Sequence, residues 1–250
     1  MLRRRALALG LSLASLAPMA ATAVTPTVAH AATNVRPVIL VHGFLGAGWN
    51  WEIFKARLQA DGFNNVFTID LANFATGTTP ALAGQLKAKV DQVLAQTGAS
   101  QVDIIGHSKG GLVSRYYMKT LGGHPKVAHY VSLGTPQYGT IAGNLAAMFG
   151  CAGLPACAEM TTNSAFLTAL NAGDDTPGAT KYTAIYTVMD ELVQPYFNAR
   201  LEDGAVNIKL QAKCPLRIVG HLGLIADGTV YGLAKKAILD QGTTANCFAL

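Results

Sequence analysis

Short apolar runs alternate along the chain with longer stretches in which apolar residues recur every three or four positions. Val38 to Val41 is an apolar run of strand length after Pro37, and it ends at His42-Gly43, where the chain must turn. Trp51, Phe54 and Leu58 fall at helical spacing before Asp61-Gly62, and Val66 to Ile69 predicts a second strand. A loop-like stretch from Leu71 to Thr79 follows. Thr79 then predicts an N-cap with Pro80 at the first helical position, and Leu82, Leu86, Val90 and Val93 keep one apolar face. Val102 to Ile105 is a third strand that runs at once into Gly106-His107-Ser108-Lys109-Gly110-Gly111 and a helical run through Tyr116, Tyr117 and Leu121. Val127 to Leu133 predicts the next strand, Tyr182 to Val188 and Val206 to Leu210 two more β-rich runs, and Val230 to Leu239 a last helix capped by Asp227. Strands alternating with helices predict an α/β fold, a mostly parallel sheet covered by helices on both faces.

One segment breaks the alternation. Gln137 to Lys181 is rich in Gly, Ala, Asn and Thr, yet it carries Ile141, Leu145, Met148, Phe149, Leu154, Met160, Phe166 and Leu167. Those apolar residues predict short helices capping the sheet, and long inserts in a compact domain usually serve as lids or binding loops.

The amino terminus changes the picture of where the chain works. Arg3, Arg4 and Arg5 form a basic start, Ala6 to Ala17 an apolar stretch, and Ala29-His30-Ala31 a small-residue cleavage site. Together they predict a signal peptide over residues 1–31 and one catalytic domain over 32–250, exported from the cell. The rival reading, a retained membrane anchor, needs about 20 continuous apolar residues. Pro18, Thr22, Thr25 and Pro26 interrupt the run too early for that. The formal charge of +5 also shrinks: residues 1–31 hold three of the 19 basic residues and none of the 14 acidic ones, leaving +2. No basic block with interleaved aromatics survives, which argues against a nucleic-acid partner. All four cysteines, Cys151, Cys157, Cys214 and Cys247, fall in the exported part, where an oxidising environment favours two disulfides. Of the three connectivities, the short loop from Cys151 to Cys157 and the return of the carboxyl terminus to Cys214 favour 151 with 157 and 214 with 247. No Cys-x-x-Cys or His-Glu-x-x-His spacing supports a zinc site instead.

The chemistry is carried by Gly106-His107-Ser108-Lys109-Gly110, which fits Gly-x-Ser-x-Gly and lies directly between a predicted strand and a predicted helix. Such a turn lifts Ser108 to the top of the sheet, and the flanking glycines avoid collisions that a Cβ would make with neighbouring backbone. The helix that follows adds partial positive charge at the nucleophile. A glycine-rich turn can also be a mere packing device, but a serine at a strand-to-helix turn is the better reading here. Serine needs a base, usually histidine, oriented by a carboxylate, and in this chain order both follow the serine. After Ser108 only His124, His129 and His221 remain. His124 sits in a Gly-Gly-His-Pro turn and His129 inside a strand one element too early, so a surface turn and a satisfied strand residue are their readings. His221, after the apolar pair Ile218-Val219 and in what reads as a strand-end loop near the carboxyl terminus, is the base. Asp190 follows the Tyr182 to Val188 run at a strand end, where catalytic loops of open α/β sheets project. It is the acid, with Glu191 as runner-up. Asp174, Asp175, Glu202 and Asp203 are read as solvated loop residues. Main-chain N–H groups of Lys109 and of Phe44, in the loop after the first strand, are the candidate oxyanion donors.

Val41-His42-Gly43-Phe44, Val102 to Ser108, Leu133-Gly134-Thr135-Pro136, Ala184-Ile185-Tyr186 leading to Asp190, and Val219 to Leu224 coincide in one chain. With them the sequence resembles the secreted bacterial triacylglycerol lipases of the α/β-hydrolase superfamily, above all the small Bacillus-type and actinobacterial enzymes. That resemblance implies an α/β-hydrolase fold, Ser108, Asp190 and His221 as the triad, and Phe44 and Lys109 as oxyanion donors. It also implies a lipid ester as substrate, an oil-water interface as its setting, and a reaction with no organic cofactor. Calcium occurs in lipases generally, but no ligand loop stands out. Lys109 occupies a site often taken by Met or Gln, which predicts a cation beside the pocket mouth. The 137–181 insert and the extra residues from Gln211 to Arg217 are absent from the most compact members. The same triad also fits acyl transfer or polyester depolymerisation, and a non-catalytic binding protein on a hydrolase scaffold is the reading from another class.

Overall fold

The computed structural model describes residues 36–141, 150–151 and 153–250. The export signal expected over residues 1–31, and residues 142–149 and 152 of the insert, lie outside the described residues. The strands are β1 (Val38–Val41), β2 (Val66–Ile69), β3 (Val102–His107), β4 (Val127–Leu133), β5 (Lys181–Tyr186) and β6 (Val206–Lys209). They form one sheet in the order β2-β1-β3-β4-β5-β6, and every pairing is parallel. The helices are α1 (Glu52–Ala60), α2 (Thr79–Thr97), α3 (Lys109–Lys119), α4 (Pro155–Met160), α5 (Ala165–Asn171), α6 (Leu210–Lys213) and α7 (Gly228–Ile238).

Alternation within the strands divides the core. Val38, Leu40, Ile105, Val131, Leu133, Ile185 and Ile208 point to one face, where they meet Trp51, Phe54 and Leu58 around α1 and Val230, Leu233, Ala234 and Ile238 of α7. Ile39, Val41, Val102, Ile104, Tyr130 and Tyr182 point to the other, against Leu82, Leu86, Val90 and Val93 of α2 and Val113, Tyr117 and Met118 of α3. Parallel strands covered on both faces are mainly apolar on both, which is why β1 and the centre of β3 read as runs rather than as alternating segments. The chain leaves β1 in one direction to make β2, then returns past β1 to make β3 and the remaining strands. This reversal opens a crevice at the carboxyl ends of β1 and β3. Val41 pairs with Gly106, so the segments that follow both strands emerge at the same level.

Five local expectations need correction. Thr78, not Thr79, is the N-cap of α2; Thr79 is the first helical residue, and Glu159 takes both its N–H and its hydroxyl. The 182–188 run ends as strand at Tyr186, and the 206–210 run ends at Lys209, with Leu210 starting α6. No strand precedes His221, because Leu216 and Ile218 are almost fully exposed and residues 214–220 form a loop. Asp175 is fully buried rather than solvated, its carboxylate 2.7 Å from the Arg115 guanidinium. Among the described insert residues, α4 and α5 pack through Cys157, Met160, Leu167 and Leu170 on Leu112 of α3, with Phe44 and Phe166 at the edge. Cys151 is bridged to Cys157, and Cys214 to Cys247. No helix among the described residues is long and apolar enough to cross a membrane.

Candidate active site

β3 ends at His107 and α3 starts at Lys109, so the whole turn rests on Ser108, whose backbone has φ 53° and ψ −128°. A non-glycine residue held at positive φ is strained, and such strain persists only where surrounding structure fixes it. The glycines show what fixes it. A Cβ on Gly110 would lie 2.3 Å from the Val41 carbonyl oxygen, and one on Gly106 would lie 2.8 Å from the Gly111 nitrogen. Gly43, in the loop after β1, approaches from the other side: a Cβ there would sit 2.8 Å from the Ser108 Cβ.

His221 and Asp190 meet beside this turn. The Nδ1 of His221 lies 3.0 and 2.9 Å from the two carboxylate oxygens of Asp190, and both side chains are buried. Asp190 also accepts N–H groups from Leu192 (3.0 Å) and Val193 (2.7 Å), so its orientation is set by its own loop. A side chain on Gly134, which has φ 55° just after β4, would crowd both members of the pair. An imidazole whose Nδ1–H is held by a carboxylate has Nε2 left to take up a proton. Ser108 and His221 line one cavity of about 220 Å³ whose other walls are mainly apolar: Phe44, Leu45, Trp51, Pro136, Met160, Leu192, Val193, Leu222 and Ile225.

The family described as Lipase (class 2) matches residues 35–221. The chain belongs to that family. Over 141 residues it is 40% identical to a triacylglycerol lipase of Burkholderia plantarii, an alignment covering 53% of this chain and 37% of that protein. It is 41% identical over 119 residues to a triacylglycerol lipase of Pseudarthrobacter phenanthrenivorans, covering 44% and 36%. The chain thus aligns with little more than a third of the length of these relatives. Lipase B of Aspergillus fumigatus superposes with a TM-score of 0.73 at 20% identity, over 86% of this chain and 55% of that one. The mature form of the Bacillus licheniformis lipase BlEst2 gives 0.65 at 20% identity, over 82% and 92%. The fold is that of the α/β-hydrolase lipases.

In this member of the family, the other singled-out residues take different places. Glu191 is exposed and accepts the backbone N–H of His221 at 2.9 Å, so it touches the loop rather than the ring. His129 lies in a buried group with Asp103 (2.8 Å) and Arg36 (2.9 Å), and its Nε2 is 3.2 Å from Asp240. Phe44 lines the cavity, in the loop whose Gly43 approaches Ser108, and Lys109 follows Ser108 as the first residue of α3. The Lys109 side chain, however, corrects the expectation of a cation beside the mouth. It is fully buried, and its Nζ donates to the carbonyls of Ala75 (3.1 Å) and Gly77, with Glu159 at 3.9 Å. Burial pulls its pKa down to about 8, against the opposing pull of Glu159. Among the described residues, no cluster of three or more His, Cys, Asp or Glu is arranged to hold a metal.

Two histidines went unassigned in the sequence and border the site. His42 places Nε2 2.9 Å from the N–H of Leu71, which it accepts, and Nδ1 2.8 Å from the carbonyl of Gly43. Burial lowers its pKa, with the Gly43 hydrogen bond and Asp70 opposing. His107 donates from Nε2 to the His221 carbonyl at 3.0 Å, and the two rings lie 4.7 Å apart. Burial, then the neighbouring His221, push the His107 pKa down to about 3, which favours the neutral ring. The only signal for it in the sequence is its place before Ser108. Replacing His107 with Phe removes one donor from the His221 loop and is expected to lower kcat about tenfold, the equivalent of one ordinary hydrogen bond. Steady-state kinetics on a soluble ester checks this, with KM expected to change less than kcat.

Proposed function

We propose that this chain is a secreted hydrolase of lipid esters that works through an acyl-enzyme on Ser108. The observation that carries the reading is that a serine on a strained turn shares one apolar cavity with a histidine whose Nδ1 is held by a buried aspartate. His221 Nε2 takes the proton from Ser108 Oγ as Oγ attacks the ester carbonyl, and Asp190 stabilises the imidazolium that forms. The N–H groups of Phe44 and Lys109 receive the oxyanion. Collapse of the tetrahedral intermediate breaks the ester C–O bond, and His221 returns the proton to the departing alcohol. Water then enters, gives a proton to His221 and attacks the acyl carbon, and the acid leaves as Oγ recovers its proton.

The apolar lining supports a fatty acyl group as the bound moiety. Leu45 and Leu222 line the cavity while remaining 48% and 63% exposed, and Phe74, whose carbonyl accepts the Leu45 N–H, is 62% exposed. An apolar rim of this kind suits an oil-water interface. The insert over 137–181 is read as the cap, and export through the 1–31 signal agrees with two disulfides in the exported part. Initial rates on p-nitrophenyl esters from acetate to palmitate, together with emulsified triglyceride, test the substrate class. Turnover of long chains or of the emulsion is expected; a wild-type protein inactive on every ester would refute the reading.

A further inference from the structure

The start of α3, the 72–77 loop and the insert helix α4 are tied together by two side chains with no part in the chemistry above. Lys109 Nζ, at the first residue of α3, holds the carbonyls of Ala75 and Gly77 in the 72–77 loop. That loop in turn holds the cavity wall after β1, since Leu45 donates its N–H to the Phe74 carbonyl at 2.8 Å. On the far side of the same ammonium stands Glu159, from the insert helix α4. One oxygen of Glu159, Oε2, accepts the Thr79 N–H at 2.7 Å and the Thr79 hydroxyl at 2.6 Å, while lying 3.9 Å from Lys109 Nζ. The carboxylate therefore closes the amino terminus of α2 and neutralises a buried cation at once, and both favour negative charge at that point. The next residue in the chain is Met160, a buried wall of the cavity, and its carbonyl accepts the N–H of Thr140, another wall residue, at 2.9 Å.

We propose that Glu159 is a positioning residue for acyl-chain selection: by tying α4 to α2 and to Lys109, it fixes the Met160 wall and so the depth of the acyl site. The inference rests on the ester-hydrolase reading and deepens it. Glu159 touches neither Ser108 nor His221 among its hydrogen bonds and ion pairs. Its loss moves a wall and leaves the reacting groups where they are. A short acyl chain stays near the reacting carbon and does not feel that wall, whereas a long chain runs along it.

The test compares the intact exported protein with Glu159→Gln and Glu159→Ala on p-nitrophenyl butyrate and palmitate, with kcat and KM separated and thermal unfolding followed in parallel. Gln keeps an oxygen for Thr79 and loses the charge facing Lys109; Ala loses both. The expected result is a change of about tenfold or more in KM for palmitate with Ala, the size set by losing charge-assisted hydrogen bonds, and a smaller change with Gln. Butyrate kcat stays within about threefold, less than one ordinary hydrogen bond. A palmitate-to-butyrate ratio unchanged in folded Glu159→Gln and Glu159→Ala overturns the inference, as does a parallel fall on both esters. Wild-type turnover of butyrate in the same assay separates the two failures: its absence removes the hydrolase reading and this inference with it, while its presence with an unchanged ratio removes this inference alone.

Discussion

Alanine at His221 is expected to lower kcat/KM for a soluble ester by about ten-thousand-fold or more, and asparagine at Asp190 by a similar factor. The two losses have different causes. Without His221 the imidazole paired with a buried carboxylate beside Ser108 is gone. Asp190→Asn leaves the packing in place, but an amide presents Nδ2–H as readily as its oxygen to the ring, and the tautomer that leaves Nε2 free is no longer enforced. The double variant should be scarcely slower than His221→Ala alone, because groups that act as one unit do not add. Additive losses would mean that Asp190 acts elsewhere than through the ring. Stopped-time hydrolysis of p-nitrophenyl butyrate resolves all three proteins if the variants fold, which circular dichroism establishes.

The largest stability effect is expected at Asp175, which does not line the cavity. Its carboxylate pairs with Arg115 at 2.7 Å and also accepts the Tyr138 hydroxyl and the Glu202 N–H, with both charged side chains about 1% exposed. Arg115 would keep only the side-chain oxygens of Gln137 (3.1 Å) and Asn171 (2.8 Å). Removing one partner of a buried pair leaves an uncompensated charge, so Asp175→Ala is expected to cost about 3–5 kcal/mol, or roughly 10 °C in Tm for a domain of this size. Replacing both residues, Arg115→Met with Asp175→Leu, should recover most of that loss. Urea unfolding of the single and double variants measures it, and a single variant within about 1 kcal/mol of wild type, near the usual size of a surface change, would show that the pair contributes little. Because Arg115 lies on α3 and Asp175 in the insert, the pair also joins the helix after Ser108 to the segment that supplies Thr140 and Met160 to the cavity wall.

The same two residues show where sequence reading stopped. The strands were legible because burial on both faces makes them mainly apolar, and the turn at Ser108 because close backbone approach admits only glycine at 106 and 110. Asp190 and His221 were legible from their places after strand-like runs, although the run before His221 is no strand. Ile218 is 82% exposed there, an apolar residue on the surface that pattern alone reads as buried. Neighbours such as Asp190 and Glu191 part in three dimensions: Asp190 accepts N–H groups of its own loop and meets the His221 ring, whereas Glu191 takes the His221 backbone N–H. Long-range polar pairing left no local trace at all. Arg115 and Asp175 are 60 residues apart, and the direction of the Lys109 side chain depends on a loop and an insert helix on either side of it. A charge in a Gly-Pro-rich loop reads as solvated until its partner is seen.

The central claim is that Ser108 becomes covalently acylated, and its most direct test is a long-chain fluorophosphonate followed by intact mass and peptide mapping. One adduct per chain on the peptide carrying Ser108 is expected, with ester hydrolysis lost in proportion to labelling and no adduct on Ser108→Ala. Hydrolysis that survives full labelling, or an adduct that maps to another residue, would contradict it.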